Sequence, residues 1–166
     1  MRFLVVFYFL IMPMISYAQT WHECMDSSKA YKTRNNYELA IKWAKKAEAI
    51  ALEEFGKDDT CYIDAFQYKY VCYYLMGKIE TAIEYSKELR KIIKETRGVN
   101  DQYYAQVLND IGVFTDVMGN YAEAEPLLEE SLKIRRHLFK GDHKFLVESL
   151  GNLASNYEKS GKFKDA

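Results

Sequence analysis

An internal period of 42 residues leaves this chain few ways to fold. Tyr37, Ile79, Tyr121 and Phe163 stand at that spacing, and so do Ala40, Ala82, Ala124 and Ala166. Gly77, Gly119 and Gly161 follow the same step, with Asn35 in the first place. A second series, Gly56, Gly98 and Gly141, falls between them at spacings of 42 and 43. A fixed period of this length belongs to stacked supersecondary units, none of which buries its apolar face alone.

Within each period the apolar residues recur at three and four, which predicts a hairpin of two helices. In the third unit, Val107, Leu108, Ile111, Phe114 and Met118 mark one helix from about Asp101 to Val117. Leu127, Leu128, Leu132, Ile134 and Leu138 mark a second from Tyr121 to Leu138, with Pro126 predicting a mild bend. Gly119-Asn120 between them carries a stop and a start signal. The same reading places helices at Thr20–Thr33 and Tyr37–Phe55, at Asp59–Leu75 and Ile79–Thr96, and at Asp142–Lys159, with another from Phe163 onward. Connections this short force antiparallel neighbours. The repeated alanine lets paired helices approach closely, and the large residue three places earlier packs across the hairpin. Only two prolines and eight glycines interrupt the chain, and 14 tyrosines suit interfaces between packed helices.

Residues 1–18 stand apart. Arg2 precedes an uncharged apolar run from Phe3 to Ile15, and Ser16-Tyr17-Ala18 supplies small residues where a signal peptidase reads. This is the pattern of a cleaved secretory leader, and the run is short for a membrane span. The expectation is an extracytoplasmic protein, secreted or periplasmic, without stable membrane insertion after cleavage. The units then occupy about 20–55, 56–97, 98–140 and 141–166 of a repeat region spanning 19–166. Length alone argues for one compact unit.

Several function classes find no support. The net charge of −1, from 23 basic and 24 acidic residues, offers no basic surface for nucleic acid. No phosphate loop, nucleophile elbow or paired-histidine zinc motif is present, so neither a cofactor nor catalysis is expected. His22 and Cys24 lack further ligands at helical spacing, and His137 and His143 match no ligand motif. Cys24, Cys61 and Cys72 read as free thiols, because Cys61 and Cys72 share one helix at about 16 Å, beyond disulfide reach. Lys45-Lys46, Arg135-Arg136 and Glu129-Glu130 read as solvated faces, and Asp58-Asp59 as a cap.

At these residues the chain resembles the tetratricopeptide repeat family, in the 42-residue variant of kinesin light chains. Gly119-Asn120-Tyr121-Ala122-Glu123-Ala124-Glu125-Pro126-Leu127-Leu128 is similar to that variant's second-helix signature, and Glu130-Ser131-Leu132-Lys133-Ile134 continues it. Gly141-Asp142-His143 and Ser149-Leu150-Gly151-Asn152-Leu153-Ala154-Ser155-Asn156-Tyr157 are similar to its first-helix signature. Tyr70 departs from the pattern, standing where Gly112 and Ala154 supply a small residue.

The resemblance implies an all-α fold, a right-handed α-α superhelix (solenoid) of stacked antiparallel hairpins. It implies a protein or peptide partner held in a concave groove lined by the first helix of each unit. Carried over by position, that lining is His22, Met25, Lys29 and Lys32, then Asp64, Gln67, Val71 and Tyr74. Gln106, Asn109, Val113 and Asp116 follow, then Glu148, Gly151, Ser155 and Glu158. Charge runs from basic in the first unit to acidic in the fourth, which suits a peptide with its acidic end near Lys29 and Lys32. The period also runs out four residues into a helix, so the chain reads as the start of a longer protein. Leu146, Leu150, Leu153 and Tyr157 are then expected to be partly uncovered. An interaction scaffold is the leading reading. A sensory or regulatory arm of a larger exported signalling or protease-like protein is the alternative, and a glycan-binding surface around Tyr74 is a third. Mass spectrometry of the exported protein is expected to find Gln19 at its N-terminus; an N-terminus at Met1 overturns the leader.

Overall fold

A computed structural model describes residues 20–141 and 143–162. The expected leader, Asp142 and the helix expected from Phe163 lie outside the described residues. Seven helices are described: residues 20–33 (α1), Tyr37–Glu54 (α2), Thr60–Leu75 (α3), Ile79–Thr96 (α4), Gln102–Val117 (α5), Tyr121–Leu138 (α6) and Lys144–Lys159 (α7). Among the described residues there is no strand, and no helix is long and apolar enough to cross a membrane. Backbone contacts divide the chain into two compact units, Met1–Cys72 and Tyr73–Ala166, where length alone argued for one. A repeat chain has no single centre on which its contacts converge.

The hairpin turns share one geometry. The second residue after each first helix takes a left-handed conformation, at φ 57° for Asn35, 76° for Gly77, 82° for Gly119 and 81° for Gly161. The next N–H then reaches back to a carbonyl five residues earlier: Asn36 to Tyr31, Lys78 to Tyr73, Asn120 to Thr115 and Lys162 to Tyr157, at 2.8–3.1 Å. This closure satisfies carbonyls that the helix end leaves open. Glycine adopts the conformation without strain, and asparagine is among the few side chains that tolerate it, which explains Asn35 in the first turn.

In the first unit the core of α2 is a stripe of alanines, Ala40, Ala44, Ala47 and Ala51, all fully buried. Trp21, Cys24 and Met25 of α1 are buried with it, and the Ser28 hydroxyl donates to the Ala40 carbonyl at 2.7 Å. Tyr62, Ile63, Phe66 and Tyr70 of α3 are buried too. Tyr70 therefore fills as a core residue the place that a small residue takes in later repeats. Lys69 is buried on α3, its ammonium 2.6 Å from Glu48 of α2 and 3.6 Å from the Phe66 ring centroid. All three cysteines are free. Burial pushes the Cys61 and Cys72 thiols up to about 11, so both remain protonated and unreactive near neutral pH.

In the second unit α4 packs on α5, α5 on α6, α6 on α7, and α5 also meets α7. Leu89 and Ile93 of α4, Leu108 and Ile111 of α5, and Leu128 and Leu132 of α6 supply the core. Met118 and Leu138, expected on apolar faces, are exposed, because each ends its helix beyond the packed turns. Pro126 lies inside α6, which runs unbroken through it. On α7, Leu153 is buried against Leu128 and Leu132, while Leu146 and Tyr157 are half-buried and Leu150 is exposed.

Two helical glycines separate packing from propensity. A Cβ on Gly112 would lie 2.7 Å from Leu128 Cδ2 and 2.8 Å from its Cγ, whereas one on Gly151 meets nothing within 4 Å. Alanine at an open helix position stabilises by about 0.5–1 kcal/mol. Overpacking a core contact costs about 1–3 kcal/mol. Gly151→Ala is therefore expected to raise the thermal midpoint and Gly112→Ala to lower it; equal shifts of one sign would refute the close approach of α5 and α6.

Candidate peptide groove

The second unit brings two first helices, α5 and α7, side by side, and their facing side chains form a polar seam. The Asn152 amide donates to Asn109 Oδ1 at 3.0 Å. Further along, Asn156 Nδ2 donates to Asp116 Oδ1 at 2.9 Å and to the Tyr121 carbonyl at 3.2 Å. Lys159 closes on the other Asp116 oxygen, and that hydrogen bond holds its ammonium above the usual lysine value. The Tyr74 ring stacks on Phe114 with centroids 4.5 Å apart.

Arg135 reaches this seam from α6. It is 1 % exposed, and one guanidinium nitrogen donates to the Phe145 carbonyl at 2.9 Å, to Ser149 Oγ at 2.8 Å and to Glu148 at 3.3 Å. The other donates to Gln106 Oε1, while Gln106 Nε2 donates to Asp110 at 2.8 Å. Burial pulls the guanidinium down from its usual value, and the charges of Glu148 and Asp110 push it back up. The expectation that Arg135-Arg136 is a solvated pair is thus corrected. Arg136 is exposed, but Arg135 faces inward, because adjacent residues on a helix point about 100° apart.

The expected lining residues fall into distinct environments. In the second unit, Gln106 and Val113 are half-buried on α5, and Asn109 and Asp116 are buried in the seam. Glu148, Gly151 and Glu158 are exposed on α7, and Ser155 and Tyr74 are half-buried. In the first unit, His22 is exposed, with its ring edge-on to Trp21, and Met25 is buried in the core. Lys29 is exposed and lies 3.7 Å from Asp26. Lys32 sits 4.5 Å over the Tyr68 ring, and Asp64, Gln67 and Val71 are half-buried on α3. Two acidic lining groups are engaged, Asp116 of the third set with Lys159 and Glu148 of the fourth with Arg135.

Asn152, Asn156, Lys159 and Arg135 were not among the expected lining residues. The period finds equivalent positions, not touching ones. Asn152 and Lys159 each lie 43 residues from the α5 group they meet, one step round the helix from the 42-residue equivalents Gly151 and Glu158. No group of three metal-ligating side chains occurs among the described residues.

The family model for the tetratricopeptide repeat matches residues 116–166. A search of curated proteins found no match. Among solved structures, BtubC (BKLC) from P. vanneervenii is similar at 20% identity with a TM-score of 0.75, over 87% of this chain and 57% of that one. A chain described as a kinesin light chain with nearly identical TPR-like repeats, from Podosopora anserina, is similar at 16% identity and TM-score 0.74, over 87% and 68%. The apo form of RapI is similar at 18% identity and TM-score 0.76, over 88% and 51%. The chain thus spans about half to two thirds of the length of these structures. It is an all-α helical repeat of the solenoid class, and its residues 116–166 match the tetratricopeptide repeat family.

Arg135→Ala is expected to cost about 2–4 kcal/mol, since it empties buried volume and strips donors from several acceptors. Arg136→Ala is expected to stay within about 0.5 kcal/mol, as exposed substitutions do. Chemical denaturation of the two variants checks the contrast, and equal losses would place Arg135 at the surface.

Proposed function

We propose that this tetratricopeptide repeat chain is a non-catalytic interaction scaffold whose α5–α7 face holds an extended peptide by its main chain. The fold class supports the coarser half, since such repeats generally bind protein partners. The Asn109–Asn152 pair carries the finer half. Each amide has a donor side and an acceptor side. Their mutual bond uses one of each, and no other hydrogen bond is found for Asn109 Nδ2 or Asn152 Oδ1 among the described residues. One donor and one acceptor therefore remain beside each other, which is what a peptide group needs from a partner. Reversing both amides leaves the same complement, so the reading does not depend on how they are oriented. Val113 and the Tyr74 ring flank the seam with apolar surface that a side chain of such a peptide can cover.

The same proposal places the protein outside the cytoplasm, on the strength of the leader pattern in residues 1–18. The experiment is an array of overlapping peptides from exported proteins of the source cell, probed with wild type and with Asn109→Ala/Asn152→Ala. Wild type is expected to select discrete peptides, and the double variant to bind them about tenfold more weakly, the loss of two modest hydrogen bonds. Unchanged affinity in a folded double variant would remove the amide pair from the site.

A further inference from the structure

Arg135 makes contacts that a packing residue does not need. It sits on α6, behind the α5–α7 face, and its guanidinium holds one residue on each of the two face-forming helices. Those residues, Gln106 and Glu148, occupy equivalent places one period apart. On the α7 side it also takes the Phe145 carbonyl and Ser149 Oγ, so the helix backbone is fixed together with the side chain. On the α5 side the Gln106 amide is used at both ends, by Arg135 and by Asp110.

We propose that Arg135 is a positioning residue that sets the charge preference of the peptide face, offsetting Glu148 from behind so that the asparagine pair, not a carboxylate, selects the ligand. The inference rests on the peptide reading of the α5–α7 face. Its physical basis is proximity in a poorly hydrated place. Arg135 is 1 % exposed, so its charge is weakly screened, and it acts on Glu148 from 3.3 Å. Glu148 in turn is 41% exposed, so a ligand side chain can reach the carboxylate that Arg135 offsets. Asp116, the other carboxylate of the seam, is paired with Lys159, whose side chain is 43% exposed. Lysines in a ligand therefore gain less from this face than its count of acids suggests.

The test uses three pools of random peptides of equal length on the full chain: one of neutral residues only, one containing lysine and one containing glutamate. Arg135→Gln is expected to raise retention of the lysine pool relative to the neutral pool about fivefold. Arg135→Gln/Glu148→Gln is expected to cancel that gain, and Arg135→Lys, which keeps the charge, to show little of it. Glu148→Gln alters only a partly exposed side chain and keeps the test open if Arg135→Gln fails to fold; it is expected to raise the glutamate pool relative to the neutral one. A role confined to packing would lower all three pools together. That outcome, or unchanged pool ratios in both Arg135→Gln and Glu148→Gln, overturns the assignment of Arg135 and leaves the peptide face standing. Failure of folded wild type to retain any pool overturns the peptide face and the inference with it.

Discussion

The close approach of paired helices is the constraint from which the rest follows. Ala40, Ala82 and Ala124 are each fully buried at the same place in successive second helices. In the third repeat the contact is tighter still, where Gly112 leaves no room between α5 and Leu128. Helices this close need a connection that reverses the chain within a few residues. The left-handed turn provides it, with the backward hydrogen bond that ends one helix placing the start of the next. Small residue and turn are therefore one device, and both recur at the period of 42.

That device also explains what could be read from the chain beforehand. Helix starts at Ile79 and Tyr121 follow directly from the turn residues before them, because turn chemistry is local. Side-chain environments are not local. Asn109 was legible as a first-helix residue of the seam, but its partner Asn152 was not, since contact between stacked helices depends on rotation as well as on period. Arg135 misled for a related reason. An arginine pair in a basic last turn reads as solvated, and charge patterning says nothing about which of two neighbours turns inward. Tyr70 shows the opposite case, a departure from the repeat pattern that the core accommodates by burying the ring completely.

Buried cations occur in both compact units, each met by acceptors from neighbouring helices. Lys69 on α3 meets Glu48 on α2, and Arg135 on α6 meets groups on α5 and α7. Such pairs add little net stability over apolar packing, because desolvation consumes most of the attraction. What they add is register. An apolar stripe of alanines tolerates sliding by a turn, whereas a guanidinium that must find a carbonyl, a hydroxyl and an amide does not. In a fold assembled from near-identical hairpins, a slipped pairing is the obvious competitor, and a charge left without acceptors penalises it by several kcal/mol.

The proposed peptide face can be both specific and shallow. Side-chain amides lose hydrogen-bonding strength if they swing freely, since ordering them on binding costs up to about 1.5 kcal/mol each. Asn109 is already buried and held by Asn152, and Asn156 is held by Asp116 and the Tyr121 carbonyl. Much of that ordering is thus complete before a ligand arrives. Of the acids on this face, Glu148 is engaged by Arg135 and Asp116 by Lys159. On the proposed reading, a face built this way would discriminate by the geometry of neutral donors and acceptors, and its selectivity would depend on residues such as Arg135 that the ligand does not touch.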